Sequence, residues 1–319
     1  MYQVAARRLV VMVPQLLILS MLMFWLADNM PGDAVSGLAQ IPDISAERAA
    51  RLREIYGLDR PWYVRYVSWL GGVVNGDFGV SIAHQLPVAD IVRQRAANSF
   101  VLSSVTLVLL YAIAIPLGLM AGRYRLVDKV VSWYTYVAMS MPTVVVAVLA
   151  LLLFGFVLGW VPVRGSVGLG LAPSSIAYWV SRAHHIALPA LTGALMGIVG
   201  IVQYLRSEVS EQCNSMFCVM ARAKGLSEGK VYKNHVLRNA LLPLAADLCW
   251  VLVALVSGSI FIENIFSYPG MGQLFIESVE KRDFPVVNFI VVMYGALLVV
   301  GSVIADVVIT KLDPRIRVR

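Results

Sequence analysis

Six long apolar runs constrain this chain more than any other feature. A helix that crosses a bilayer needs roughly 20 mostly apolar residues. Segments 9–27, 98–121, 131–159, 187–206, 240–262 and 285–309 each meet that need. Hydrophobic residues make up 59% of the chain and charged residues only 14%. A soluble globule carries about 25% charged residues, so this chain lacks the polar surface to enclose these helices in water. The first run follows Arg7-Arg8 and has no clear small-x-small cleavage site after it, so it reads as a retained span and not a removable leader. The prediction is an all-α membrane protein with six transmembrane helices and a folded extracytoplasmic segment between the first two.

Lys and Arg in the short loops orient such a bundle. With the N-terminus inside, the cytoplasmic pieces are 1–8, 122–130, 207–239 and 310–319, and they hold most of the basic residues. The short outer loops, 160–186 and 263–284, hold only Arg164, Arg182, Lys281 and Arg282. Both termini are therefore expected in the cytoplasm. The net charge of +7 is explained by this topology and by attraction to anionic lipid. No aromatic–basic interleaving points to nucleic acid. Cys213, Cys218 and Cys249 match no zinc spacing and read as small packing residues.

Three units follow: 1–27 as tail and first span, 28–97 as an outer cap, and 98–319 as a five-span core containing a cytoplasmic loop, 207–239. The cap is too long for a simple connection. It predicts a helix from a Ser45 cap to Gly57, then a row of Trp62, Tyr63, Tyr66 and Trp69 suited to the membrane–water interface. Pro116, Pro142 and Pro189 are breakers within spans, and Gly193, Gly197 and Gly200 form a stripe permitting close helix approach. Asp247 and Asp306 lie near the inner ends of spans and read as snorkelling or paired acids.

The densest basic stretch is ARAKGLSEGKVYKNHVLRNALLP, residues 221–243. Helical spacing brings Met216, Phe217, Met220 and Ala221 or Lys224 together. Gly225 breaks the helix, Ser227 can cap a second one, and Pro243 launches the fifth span. The result is a small basic-apolar knob, suited either to a cytosolic partner or to lipid headgroups. No P-loop is present, because Val231 follows Gly229-Lys230 and Lys224 occupies the earlier glycine position.

This stretch resembles the coupling segment of ABC importer permeases in the oligopeptide/dipeptide/nickel transporter family. Ala221 to Leu226 match its Ala-Arg-Ala-Lys-Gly-Leu, and His235 with Leu237 to Pro243 match the His-x-Leu-Arg-Asn-Ala-Leu-Leu-Pro that follows. PGDA (31–34), YGLDRPW (56–62), GDFGVS (76–81), ENIFSYPGMG (263–272), RDFPVV (282–287) and DPR (313–315) extend the resemblance along the whole chain. Ala34 departs from the usual proline, and the generic loop glutamate is absent, its place falling near Val219.

The resemblance implies a type I importer permease in a bacterial or archaeal cell membrane. Its partners would be a second homologous permease, two ATPase subunits and an extracytoplasmic solute-binding protein, with peptide as the cargo most similar members carry. Met220, Ala221, Arg222, Ala223, Lys224, Gly225 and Leu226 would couple to the ATPases, with Arg222, Lys224 and Gly225 as the contact core. His235, Arg238, Asn239 and Pro243 would support that loop, and Tyr268, Pro269 and Gly270 would face the binding protein. The chain itself would bind no cofactor and perform no chemistry, ATP and Mg being used by the partners. Nickel-chelate or other small-solute import is the alternative cargo. A stand-alone secondary transporter would call for inverted repeats or midplane acids, and neither is evident. An intramembrane enzyme built on His184, His185 or His235 would need a serine or metal-ligand array that the sequence around them lacks.

Overall fold

The computed structural model describes residues 2–29, 35, 46–55, 57–241, 244 and 248–312, and these are mostly helical, with one isolated antiparallel bridge, Val80 to Pro87, and no strand among them. The chain opens with α1 (Tyr2–Asn29), and the segment predicted as a cap supplies α2 (Ala46–Ile55) and α3 (Trp62–Val74). The core contains α4 (Val88–Ala121), α5 (Arg125–Ser140), α6 (Thr143–Ala150), α7 (Ile176–Cys213) and α8 (Met216–Ala223). It continues with α9 (Glu228–Val231), α10 (Leu237–Leu241), α11 (Leu248–Ser257), α12 (Ile260–Ile265), α13 (Met271–Glu280) and α14 (Phe284–Leu312). Two π-helical stretches extend α6 (Leu151–Val157) and join α9 to α10 (Tyr232–Val236).

Among the described residues four helices are long and apolar enough to cross a membrane, α1, α4, α7 and α14. The third predicted run is not one straight span. It divides into α5 and α6 with its π extension, bent by 98°. Met141 is extended (φ −106°, ψ 124°), the conformation a following proline favours, and Pro142 then starts a new helix. Pro116 and Pro189, by contrast, lie inside continuous helices. The fifth run, 240–262, is also divided: α11 ends at Gly258 (φ +66°) and α12 restarts after Ser259. Asp247, Pro243 and the PGDA and DPR motifs lie outside the described residues, as does the Ser45 cap.

The core is organised by α4 against α7. A Cβ on Gly197 would lie 2.6 Å from the Leu110 side chain, and one on Gly118 2.6 Å from that of Leu205. Small residues on each helix thus receive large ones from the other. Gly193 joins them against Thr106, but Gly200 faces nothing within 4 Å and plays no part. Leu110, Ala114, Ala194, Ile198 and Val202 fill the seam. Many large apolar side chains instead point outward, among them Val108, Trp133 and Tyr136, as lipid-facing positions should.

The cap's aromatic row packs onto the first span. Phe24 lies 5.3 Å from the rings of both Tyr66 and Trp69, and the Tyr66 and Ser20 hydroxyls are 3.1 Å apart. On the same side the GDFGVS turn is held by the buried Asp283. Its carboxylate accepts from the Ser81 hydroxyl and from the backbone N–H groups of Ile82 (3.1 Å) and Ala83 (3.2 Å).

Candidate functional site

The knob is built on α8. Its C-terminus closes with paired bonds, Gly225 N–H to Arg222 O (2.9 Å) and Leu226 N–H to Ala221 O (3.3 Å). That Schellman pattern needs a left-handed residue, and Gly225 supplies it at φ +80°. Nothing lies within 4 Å of where a Cβ would sit, so the glycine is required for its backbone and not for space.

Arg222 ties the knob together. Its Nε and Nη2 donate to the two carboxylate oxygens of Glu228 (2.7 and 3.4 Å), while Nη1 donates to Cys213 O at the end of α7 (3.0 Å). One guanidinium therefore joins α7, α8 and the start of α9. The Arg222 hydrogen bond holds Glu228 below its ordinary carboxylate range. Behind it Leu205, Val209, Cys218, Ala221, Val231 and Val236 form a buried cluster.

The sequence grouped Met216, Phe217, Met220 and Ala221 on one face, and the structure divides them. Phe217 and Ala221 turn inward, whereas Met216 (74% exposed), Val219 and Met220 (54%) turn outward. Ala223, Lys224, Gly225 and Leu226 are exposed beside them. Met216, Val219 and Met220 thus form one exposed apolar group on α8. Lys224 and Gly225 lie exposed next to these side chains, while the part-exposed Arg222 joins α8 to α7 and α9.

The supporting residues are distributed differently. His235 sits in the π-helical turn with its ring 6.4 Å from Phe217, and Asn239 is half-buried in α10. The Arg238 side chain lies outside the described residues. Cys218 is buried in the cluster, and Cys213 donates its S–H to the Tyr232 hydroxyl (3.1 Å). Burial, chiefly, pushes the Tyr232 phenol up to about 12. His184 and His185 each have a ring nitrogen close to a backbone carbonyl, that of Trp160 (2.6 Å) and Ser181 (2.8 Å) respectively.

A cavity of about 310 Å3 lies where four predicted spans converge. Ser103 and Thr106 come from α4, Thr143 from the start of α6, Gly193 and Gly197 from α7, and Ala254 from α11. Among the described residues its lining holds hydroxyls, glycines and apolar side chains but no charged group. Such a wall can hydrogen-bond a polar backbone while leaving side chains unselected.

The ENIFSYPGMG loop closes the opposite side from the knob. Tyr268 and Gly270 are buried and Pro269 is half-buried, so they shape the loop, while Asn264 and Ser267 hold its exposed positions. The Tyr268 hydroxyl donates to Asn98 O (3.3 Å), and the Asn98 side-chain amide donates to Pro269 O (2.9 Å). Sequence reasoning missed Glu263, which is fully buried. It accepts from the Ser99 hydroxyl (2.6 Å) and from the N–H groups of Gly272 (2.7 Å) and Gln273 (3.4 Å). A Cβ at Gly258 or Gly270 would overlap its carboxyl group. An acid ending an apolar run, with glycines flanking it, was the available signal.

Residues 114–318 match the family described as "Binding-protein-dependent transport system inner membrane component", and residues 1–99 match the corresponding N-terminal family. The chain is 34% identical over 313 residues to the oligopeptide transport system permease protein AppB of Bacillus subtilis (strain 168), covering 97% of this chain and 98% of that protein. It is 30% identical over 314 residues to the dipeptide transport system permease protein DppB of Lactococcus lactis subsp. cremoris (strain MG1363), covering 98% of each. A third relative, the glutathione transport system permease protein GsiC of Salmonella typhi, is 30% identical over 314 residues, covering 98% of this chain and 97% of that protein.

Proposed function

The chain belongs to the binding-protein-dependent transport system inner membrane component family, and on that premise we propose that it is one permease half of an ATP-driven peptide importer. It crosses the cell membrane six times with both termini in the cytoplasm, in the type I importer arrangement. It pairs with a second homologous permease, two ATPases that use ATP and Mg, and an extracytoplasmic solute-binding protein that delivers the peptide. The names of the relatives support a cargo of short peptides.

The observation that carries this reading is the contrast between the two faces of α8. Met216, Val219 and Met220 are presented outward, while the other face is fixed to α7 through Arg222 and the buried cluster. A rigid element with one apolar face open suits the transfer of force from a partner. Movement of the knob passes into α7, whose Gly193 and Gly197 line the cavity. From Gly193 to Cys213 the helix covers about 30 Å at 1.5 Å per residue, so a small tilt at one end becomes a displacement at the other. The uncharged cavity wall suits peptides of varied sequence, leaving selection to the binding protein.

A tagged pull-down of this chain from native membranes in mild detergent, followed by mass spectrometry, tests the assembly. Two ATPases and a second permease are the expected companions. A chain recovered alone, in a detergent known to preserve such complexes, would overturn the importer reading. Tight binding of free peptide to the isolated permease would contradict the weakly selective passage.

A further inference from the structure

A polar pocket and an apolar groove meet at Arg123, where α4 gives way to the α8–α10 segment. The pocket, about 490 Å3, is lined by Arg123, Arg125, Arg206, Ser207, Ser210 and Asn214, with Asp128 and Glu211 also on its wall. The groove, about 450 Å3, is lined by Leu119, Met120, Tyr124, Tyr232 and Leu237, together with Arg123 and Lys233. Arg206 is committed to Asp128, and Glu228 to Arg222. Arg123, Arg125 and Lys233 form no ion pair among the described residues. These three cations thus stand outside any ion pair of the described residues, with the Glu211 carboxylate on the same wall and Glu228 feeling the Arg123 charge at longer range.

Arg123 is held by two aromatic rings, with Glu228 close enough to feel its charge but not in an ion pair with it. Its guanidinium lies 4.8 Å from the Tyr232 ring centroid and 5.1 Å from that of Tyr124. Tyr232 is itself fixed by the Cys213 thiol. The apolar helix α4 ends at Ala121, so Arg123 stands about 3 Å beyond it at a helical rise. Met120 and Tyr124 beside it are roughly half exposed.

We infer that these joined cavities hold an anionic phospholipid of the cytoplasmic leaflet. Its phosphate sits among Arg123, Arg125 and the hydroxyls of Ser207 and Ser210, and an acyl chain lies along Leu119, Met120 and Leu237. Basic pockets at the inner ends of membrane helices suit such headgroups. A free phosphate would fill the pocket and leave the groove bare, whereas an amphiphile of one negative charge matches both. The bound lipid would brace the contact between Arg123 and Tyr232, which links α4 to the knob, making coupling sensitive to lipid charge. The leaflet rests on the proposed topology; the binding itself requires no ATPase.

Native mass spectrometry of the full-length chain in mild detergent, titrated with phosphatidylglycerol or phosphatidylcholine, tests this. The wild type should retain one phosphatidylglycerol with at least a tenfold preference. Arg123→Gln combined with Arg125→Gln should lose most of that preference, and Lys281→Gln, remote from both cavities, should keep it. Monodispersity by gel filtration identifies variants that fold. Met120→Gln combined with Leu237→Gln should weaken lipid retention, and millimolar inorganic phosphate should not displace the lipid. Equal binding of the two lipids, displacement by phosphate, or cross-linking of Met120→Cys to a partner subunit in assembled complexes would each overturn the inference. Lipid retention by a chain that recruits no ATPase would count against the importer reading alone.

Discussion

Ser99 and Glu263 stand 164 positions apart in the chain yet share a 2.6 Å hydrogen bond in its interior. The same Ser99 hydroxyl accepts from the Met271 N–H at 2.7 Å, so one side chain of α4 joins two segments of the ENIFSYPGMG loop. Glu263 in turn takes the Gly272 N–H at the start of α13. The loop is thereby fixed to the helix that lines the cavity below it, and movement of α4 must carry the loop with it.

Glu263→Ala should destabilise the protein by about 2–4 kcal/mol, because the Gly272 N–H and the Ser99 hydroxyl lose a buried partner and a cavity remains. Gly270→Ala should do comparable harm, since its Cβ would overlap the carboxyl group and lie 2.5 Å from Ser99 Oγ. Thermal unfolding of the purified protein in detergent reads both. Wild-type melting temperatures would show that this network contributes nothing.

Gly225 bears on coupling through its backbone. A side-chain residue at φ +80° costs roughly 1–2 kcal/mol, and Asn tolerates the region better than most. Gly225→Ala and Gly225→Leu should insert and fold but deliver several-fold less peptide per ATP hydrolysed, with Gly225→Asn closer to wild type. Reconstituted vesicles allow both fluxes to be measured together. A normal ratio in Gly225→Leu would remove this position from the coupling pathway.

Much of this arrangement is legible in local sequence. The break at Gly225, the aromatic row from Trp62 to Trp69 and the apolar runs all follow from spacing and residue type, and α2 ends at Gly57 as its pattern predicts. Features that depend on distant contacts are not legible. Pro142 breaks its run while Pro116 and Pro189 sit inside continuous helices, although all three lie in apolar stretches of sequence. Arg222 looks like a surface cation until Cys213 O and Glu228 are seen around it. Asp283 and Ser81 meet across 202 positions, and no local pattern encodes that pairing.

The clamp between Arg222 and Glu228 has a defined pH response. Glu228 is held below its ordinary value of 4.5 by the Arg222 hydrogen bond. The depressed carboxylate's contribution is fully present above that value and is lost as pH falls through the folded-state value below it. Coupling should therefore be flat from pH 8 to 5 with respect to this pair. Glu228→Gln should weaken the clamp equally at pH 8 and pH 5. A titration of coupling centred near pH 6.5 that disappears in Glu228→Gln would contradict the assignment.

The uncharged cavity wall makes a prediction about cargo. Thr106 lines it from α4 with its hydroxyl donated to Leu102 O at 2.8 Å, so an exchange breaks no tertiary hydrogen bond and disturbs only its methyl contact with Gly193. Thr106→Asp would introduce the only carboxylate in that lining. In a low-dielectric cavity a like charge in transit is repelled and an opposite one retained. A difference of about 1.4 kcal/mol between the two corresponds to a tenfold ratio. Uptake of acidic peptides should fall relative to basic ones by roughly that factor, with binding-protein affinity unchanged because that protein is not altered. Competition assays with matched acidic and basic peptides measure the ratio. An unchanged ratio, in a variant that assembles normally, would mean that cargo does not pass this wall.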